Sequence, residues 1–97
     1  MTQRVLFLPL KAEYFDAIVS GEKRLEFRQA TPYWVKRLDG RSFDVIEITK
    51  GYPARGDTIR RNRRIWRGYV RDTITHPHFG PDPVDVFAID VSEPEKG

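Results

Sequence analysis

Between residues 11 and 28 (KAEYFDAIVSGEKRLEFR) the sequence changes period, and that change limits the folds open to it. Up to Ser20, the apolar residues Ala12, Phe15, Ile18 and Val19 recur at the spacing of one helix face. Gly21 then supplies the left-handed backbone position that commonly ends a helix. Beyond it, Leu25 and Phe27 alternate with Glu26 and Arg28 behind Lys23 and Arg24, which reads as a strand opening with charge. Charges of both signs just past a helix terminus make a candidate polar site.

The rest of the chain is mostly strand-like. Residues 4–10 (RVLFLPL) are nearly continuous apolar sequence and predict a buried strand, with Pro9 marking its end or an edge because proline cannot donate to a ladder. Thr31 and Pro32 have the form of a helix start, and residues 32–38 predict a second short helix closed by Asp39 and Gly40. Residues 42–50 (SFDVIEITK) predict a strand with Phe43, Val45, Glu47 and Thr49 on one side. Glu47 beside two apolar neighbours is expected to face a pocket. Residues 51–62 carry Gly51, Pro53, Gly56 and Asp57 and read as a long connection. Residues 63–75 return to strand composition, with Gly68 expected to mark a bulge or a close backbone approach. A proline-rich loop over 76–83 precedes a closing strand over 84–92, with Phe87, Ile89 and Val91 on one face. The sum is an α+β or mainly β domain. A small, mostly antiparallel barrel of about five strands with one or two short helices is the expected form.

The run Gly21-Glu22-Lys23-Arg24-Leu25-Glu26-Phe27-Arg28 resembles the G-x-K-x-x-(E/T)-x-R signature of ASCH domains, small β-barrels related to the PUA family of RNA-binding modules. Tyr14, Phe15, Asp16 and Ile18 fit the helix that leads into that signature. The resemblance runs from Tyr14 to Arg28. It implies a PUA-like barrel, an RNA or nucleotide ligand and, in some members, hydrolysis. ASCH amidohydrolases acting on N4-acylated cytidine carry threonine at the motif position held here by Glu26, as a proposed nucleophile. They also use a distal glutamate, for which Glu47 is the candidate.

Composition sets outer limits. At 97 residues the chain is expected to be one domain over 1–92 with a frayed tail over 93–97. An apolar content of 39% suits a folded chain. No cysteine is present, which excludes a disulfide framework and a cysteine-based zinc site. No apolar run approaches the roughly 20 residues of a membrane span, and the N-terminus lacks the pattern of a secretory signal. A cytoplasmic protein that engages no membrane is expected. The net charge of +3 is unevenly spread, with arginines at 60, 61, 63, 64, 67 and 71 and acids at 82, 85, 90, 93 and 95. One basic face and an acidic tail are expected from that segregation.

Two readings of function follow. In the first, Lys23, Glu26 and Arg28 form a cleft for a base or nucleotide, and an arginine-rich strand carries phosphates. Arg60, Arg61, Arg63, Arg64, Arg67 and Arg71 would track the backbone, with affinity falling as salt rises. Trp34, Tyr52, Trp66 and Tyr69 are the stacking candidates, and Lys50 is a further cationic contact. Glu26 accepting from an exocyclic amine would favour cytosine or adenine. In the second, the chain is a hydrolase, an amidohydrolase on N4-acylated cytidine nucleosides or a ribonuclease. Lys23 would be base or anchor, and Glu26 or Glu47 would position water. The bland alternative is a charged strand, a solvated basic hairpin and aromatic side chains spent on packing. His76 and His78 have a two-ligand spacing but no third ligand in view, so no metal or other cofactor is expected. The expected partner is RNA or a nucleoside or nucleotide; the sequence names no protein partner.

Overall fold

The computed structural model describes residues 2–96. Six strands and two helices follow in the order β1 (Val5–Leu10), α1 (Ala12–Ser20), β2 (Leu25–Gln29), α2 (Pro32–Leu38), β3 (Val45–Lys50), β4 (Arg61–Ile65), β5 (Tyr69–Ile74) and β6 (Val84–Asp90), with a single 3-10 turn at Pro77–Phe79. The strands form two three-stranded sheets, β1-β3-β4 and β2-β6-β5. β1 runs parallel to β3 from Val5↔Val45 to Leu10↔Lys50. The other pairs are antiparallel. No helix among the described residues is long and apolar enough to cross a membrane.

The two helices end and begin as their sequences predict. Gly21 sits at φ 89° and its N–H donates to the Ile18 carbonyl. Lys23 N then donates back to the Ala17 carbonyl at 3.0 Å, so the end of α1 fixes the backbone of Lys23. Phe15 and Ile18 are buried as expected, but Ala12 and Val19 are exposed. Tyr14 takes their place against the core, so the inward face is 14, 15 and 18. At α2, Thr31 Oγ1 accepts from Trp34 N at 3.4 Å, Pro32 opens the first turn and Leu38 is fully buried.

The core lies between the two sheets. Leu6, Leu8 and Leu10 of β1 and Ile46 and Ile48 of β3 meet Phe87, Ile89 and Val91 from the other sheet, closed by Phe15, Ile18 and Leu38 from the helices. β3 and β6 are the central strands, and both bury residues on both faces: Val45, Ile46, Ile48 and Thr49, and Val86, Phe87, Ala88 and Ile89. That is why β3 shows no clean alternation.

Two expectations need correction. Residues 63–75 are not one strand. The chain leaves one sheet after Ile65 and enters the other at Tyr69, turning at Gly68, whose φ is 89°. A Cβ added at Gly68 would meet nothing within 4 Å, so backbone angle and not close approach calls for glycine there. Nor do the strands close into a barrel among the described residues. Among the described residues, backbone hydrogen bonds stitch the sheets at one corner. There Ile65 N donates to the Glu93 carbonyl at 2.8 Å and Glu95 N to the Arg63 carbonyl at 3.0 Å, joining β4 to the segment that follows β6. Glu93 to Glu95, expected as a loose tail, thus lie along β4; Gly97 at the tail's end is outside the described residues. At the opposite corner no ladder joins β1 to β2. Pro9 near the end of β1 has no N–H to offer one.

Arg64 fills the stitched corner. It is 4% exposed and sends Nε to the Val91 carbonyl at 2.8 Å, Nη1 to Asn62 Oδ1 at 3.2 Å and Nη2 to the Ile18 carbonyl at 3.4 Å. Burial lowers its pKa from the usual guanidinium range. It joins β4, the end of α1 and the end of β6, and is not a surface contact for phosphate.

A candidate cleft at the open corner

The unlatched corner holds a cleft of about 420 Å³. Its floor is Pro9 and Leu10 of β1 and Glu26, Phe27 and Arg28 of β2. Its walls are Tyr14, Trp34, Tyr52 and the turn carrying His76, His78 and Phe79. The size is that of a small-molecule site.

Glu26 is the anchor. It is 4% exposed on an edge strand, opposite Ile89. A buried carboxylate needs partners to remain charged. Oε2 accepts from Arg28 Nη1 in a short charge-assisted contact. The same guanidinium donates to the Phe27 carbonyl at 3.2 Å and, through Nη2, to the Pro9 carbonyl at 2.8 Å. Arg28 therefore spans from one sheet to the other, and its guanidinium carbon lies 5.4 Å from the centre of the Trp34 ring.

Lys23 lies on the other side of the carboxylate. Nζ is 3.6 Å from Glu26 Oε1, an ion pair longer than a hydrogen bond. It is also 5.3 Å from the centre of the Tyr14 ring and 5.2 Å from that of Phe27. Among the described residues no hydrogen bond reaches Lys23 Nζ or Glu26 Oε1. The cleft thus offers three N–H donors and a carboxylate acceptor side by side, between aromatic walls. That arrangement can hold a planar polar ring by its edge, or an anion.

The cleft gathers Lys23, Glu26, Arg28, Trp34 and Tyr52 of the residues proposed from sequence. Tyr52 is 91% exposed at its mouth. The others lie elsewhere. Glu47 does not line the cleft; its carboxylate is held by Arg61 Nη1 at 3.1 Å and Arg63 Nε at 3.3 Å. Lys50 pairs with Asp16 at 2.9 Å. Trp66 and Tyr69 pack edge-on, Trp66 on Phe43 at 5.1 Å and Tyr69 on Phe87 at 5.0 Å. The Tyr69 hydroxyl accepts from Gly40 N at 3.1 Å. Arg71 lies exposed over the Phe87 ring at 4.6 Å.

The expected separation into a basic face and an acidic tail is folded away. Arg67 bonds Glu93 at 2.9 Å and pairs with Asp90 at 3.4 Å, and Arg63 pairs with Glu95 at 3.8 Å. The hydrogen bond and charge of Glu93, with Asp90 adding to them, raise the pKa of Arg67. Partial burial pushes the Asp90 carboxyl up, but hydrogen bonds from Ser92 and the charge of Arg67 outweigh it and leave the group below the usual carboxylate range. Asp57 is likewise lowered, first by the side-chain hydrogen bond from Arg60.

Sequence reasoning missed Tyr14 and the 76–79 turn as cleft walls and Phe27 as part of its floor. Tyr14 sits four residues before Ile18 on the buried side of α1, which was the available signal. No comparable signal places the turn. Its histidines read from sequence only as metal ligands, and among the described residues no group of three ligating side chains exists. His76 Nδ1 instead accepts from His78 N at 3.1 Å. Comparison of the chain with protein-family models, with curated proteins and with solved structures gave no match.

Proposed function

We propose that this chain is an ASCH-like domain of PUA-like architecture whose cleft takes the base of a nucleoside or nucleotide bearing an exocyclic amine, cytosine or adenine. One observation carries the reading. The lysine and carboxylate of the motif stand together in a cleft with aromatic walls, and Lys23 Nζ and Glu26 Oε1 keep their hydrogen-bonding capacity unspent. Oε1 accepts the amine, and Lys23 donates to a ring nitrogen or carbonyl beside it. Trp34 or Tyr14 stacks on the base, an interaction of roughly 1–3 kcal/mol per base. The test is calorimetric titration with cytidine, adenosine and uridine. Cytidine or adenosine should bind more tightly than uridine, and Glu26→Gln should erase the preference. Equal affinity for all three nucleosides, or no binding of any of them, overturns the reading.

A second reading, hydrolysis of an N4-acylated cytidine or of RNA, is favoured by the 3.6 Å separation of Lys23 Nζ and Glu26 Oε1, a paired acid and base in one cleft. With N4-acetylcytidine, water would add to the acyl carbon and the products would be cytidine and acetate. Glu26 stands where the amidohydrolases carry threonine, and Glu47 is engaged by two arginines, so water activation falls to the Lys23–Glu26 pair alone. Mass spectrometry of N4-acetylcytidine and of RNA after incubation, with Lys23→Ala as control, checks this. Intact substrate in both samples removes it.

A further inference from the structure

A second groove, of about 450 Å³, opens on the outer face of β1 and α2. Arg4, Lys36, Arg37 and Arg41 line it, all four exposed, and among the described residues none of them forms an ion pair. This is the reverse of Arg61 and Arg63 on β4, whose charge is met by the chain's own carboxylates. Two aromatic side chains lie exposed among these cations, Phe7 at 59% and Tyr33 at 57%. Arg37 lies over the Tyr33 ring at 4.5 Å.

The groove lies beside the cleft. Phe7 lines the groove and Pro9 lines the cleft; they are two residues apart on β1, on the same face and roughly 6–7 Å from each other. On α2 the Tyr33 ring of the groove meets the Trp34 ring of the cleft edge-on at 5.2 Å.

We infer that the groove binds the sugar-phosphate backbone of a single-stranded nucleic acid, one of whose bases occupies the cleft. The inference rests on the proposed function, and it makes the ligand a polymer instead of a free nucleoside. Unpaired cations meet phosphates, and exposed rings give unpaired bases a surface to stack on, which bases in a duplex do not need. An acidic peptide would satisfy the cations but would leave the rings and the adjoining cleft without a role.

The experiment measures binding of fluorescein-labelled eight-nucleotide oligocytidylate, as RNA and as DNA, by anisotropy across a salt series, beside calorimetry with free cytidine. Four phosphates neutralised on a single strand give a log–log salt slope of about −2.8, which one remaining cation reduces to about −0.7. The K36Q/R37Q/R41Q variant should therefore lose at least tenfold in oligonucleotide affinity at low salt while binding cytidine as before. The wild-type slope tests the inference without any variant. The RNA and DNA arms decide which sugar the groove accepts. Cytidine binding with no tighter binding of either oligonucleotide overturns the inference and leaves the proposed function standing. Oligonucleotide binding lost in the groove variant, with no binding of cytidine or adenosine, sinks the proposed function and leaves only the phosphate groove. Polyglutamate that binds as tightly as the oligonucleotides and is lost in the same variant makes the groove a site for acidic protein and overturns the assignment to nucleic acid.

Discussion

Arg28 Nη2 donates to the Pro9 carbonyl at 2.8 Å, and that hydrogen bond takes the place of a strand ladder between β1 and β2. The same guanidinium holds Glu26, so one side chain sets both the width of the open corner and the charge inside it. Arg28→Ala removes the main partner of a buried carboxylate, a loss of about 3–5 kcal/mol. Thermal unfolding should show a large drop in Tm. Arg28→Lys retains the charge but cannot serve Glu26 and Pro9 together. It should fold and bind cytidine about tenfold more weakly by calorimetry, a change of ~1.4 kcal/mol.

Arg64 gives the opposite outcome for a residue of the same type. Arg64→Met should cost about 1–3 kcal/mol, because the carbonyls of Val91 and Ile18 lose their donor in a buried place. The urea midpoint should fall, while the salt dependence of oligonucleotide binding at the groove stays as in the wild type. A lower salt slope in Arg64→Met would show that this arginine does reach phosphate.

Asp90 supplies a pH dependence whose sign is fixed. Its folded pKa is below the usual carboxylate value, so the folded state favours the charged form. The stability it contributes is present above the unfolded pKa of about 4 and is lost as pH falls through the folded value. Asp90→Asn should lower Tm at pH 7. The gap from wild type should narrow as pH drops below about 4. A gap that stays constant between pH 7 and pH 3 would contradict the assignment.

Gly68→Ala tests the corner where the chain changes sheets. The new side chain meets no neighbour, so any cost is backbone strain at φ 89°, roughly 1–2 kcal/mol. Chemical denaturation should show the loss with the m-value unchanged.

Local signals in the sequence reached far. The Gly21 stop, the Thr31–Pro32 start, the charged β2 and the buried β6 are written in residues that act within one turn or one strand of themselves. The break inside residues 63–75 was obscured because arginine, tryptophan and tyrosine continue on both sides of Gly68, and a single glycine signals a bulge and a corner alike. The arginine run reads as a phosphate track because its partners are distant in the chain. Glu47 precedes Arg63 by 16 residues and Glu93 follows Arg67 by 26, and only folding brings them together. The basic groove is not legible in the sequence for the complementary reason. Its cations come from Arg4, from α2 and from Arg41, too scattered to form a run. The cleft's charged floor was legible because it is one short segment. Its walls come from α1, α2 and the 76–79 turn, and no spacing rule joins them.

Arg63 and Arg67 lie against Glu93, Glu95 and Asp90, so the chain carries its own counterions. Evolutionary change at this surface is therefore asymmetric. A new arginine on β4 has little effect while an acid stands beside it, but loss of Glu93 and Asp90 together gives Arg67 to solvent without altering a basic residue. Related chains could thus gain or shed polyanion affinity here by mutating their acids alone, and an alignment of arginines would not reveal which of them had done so.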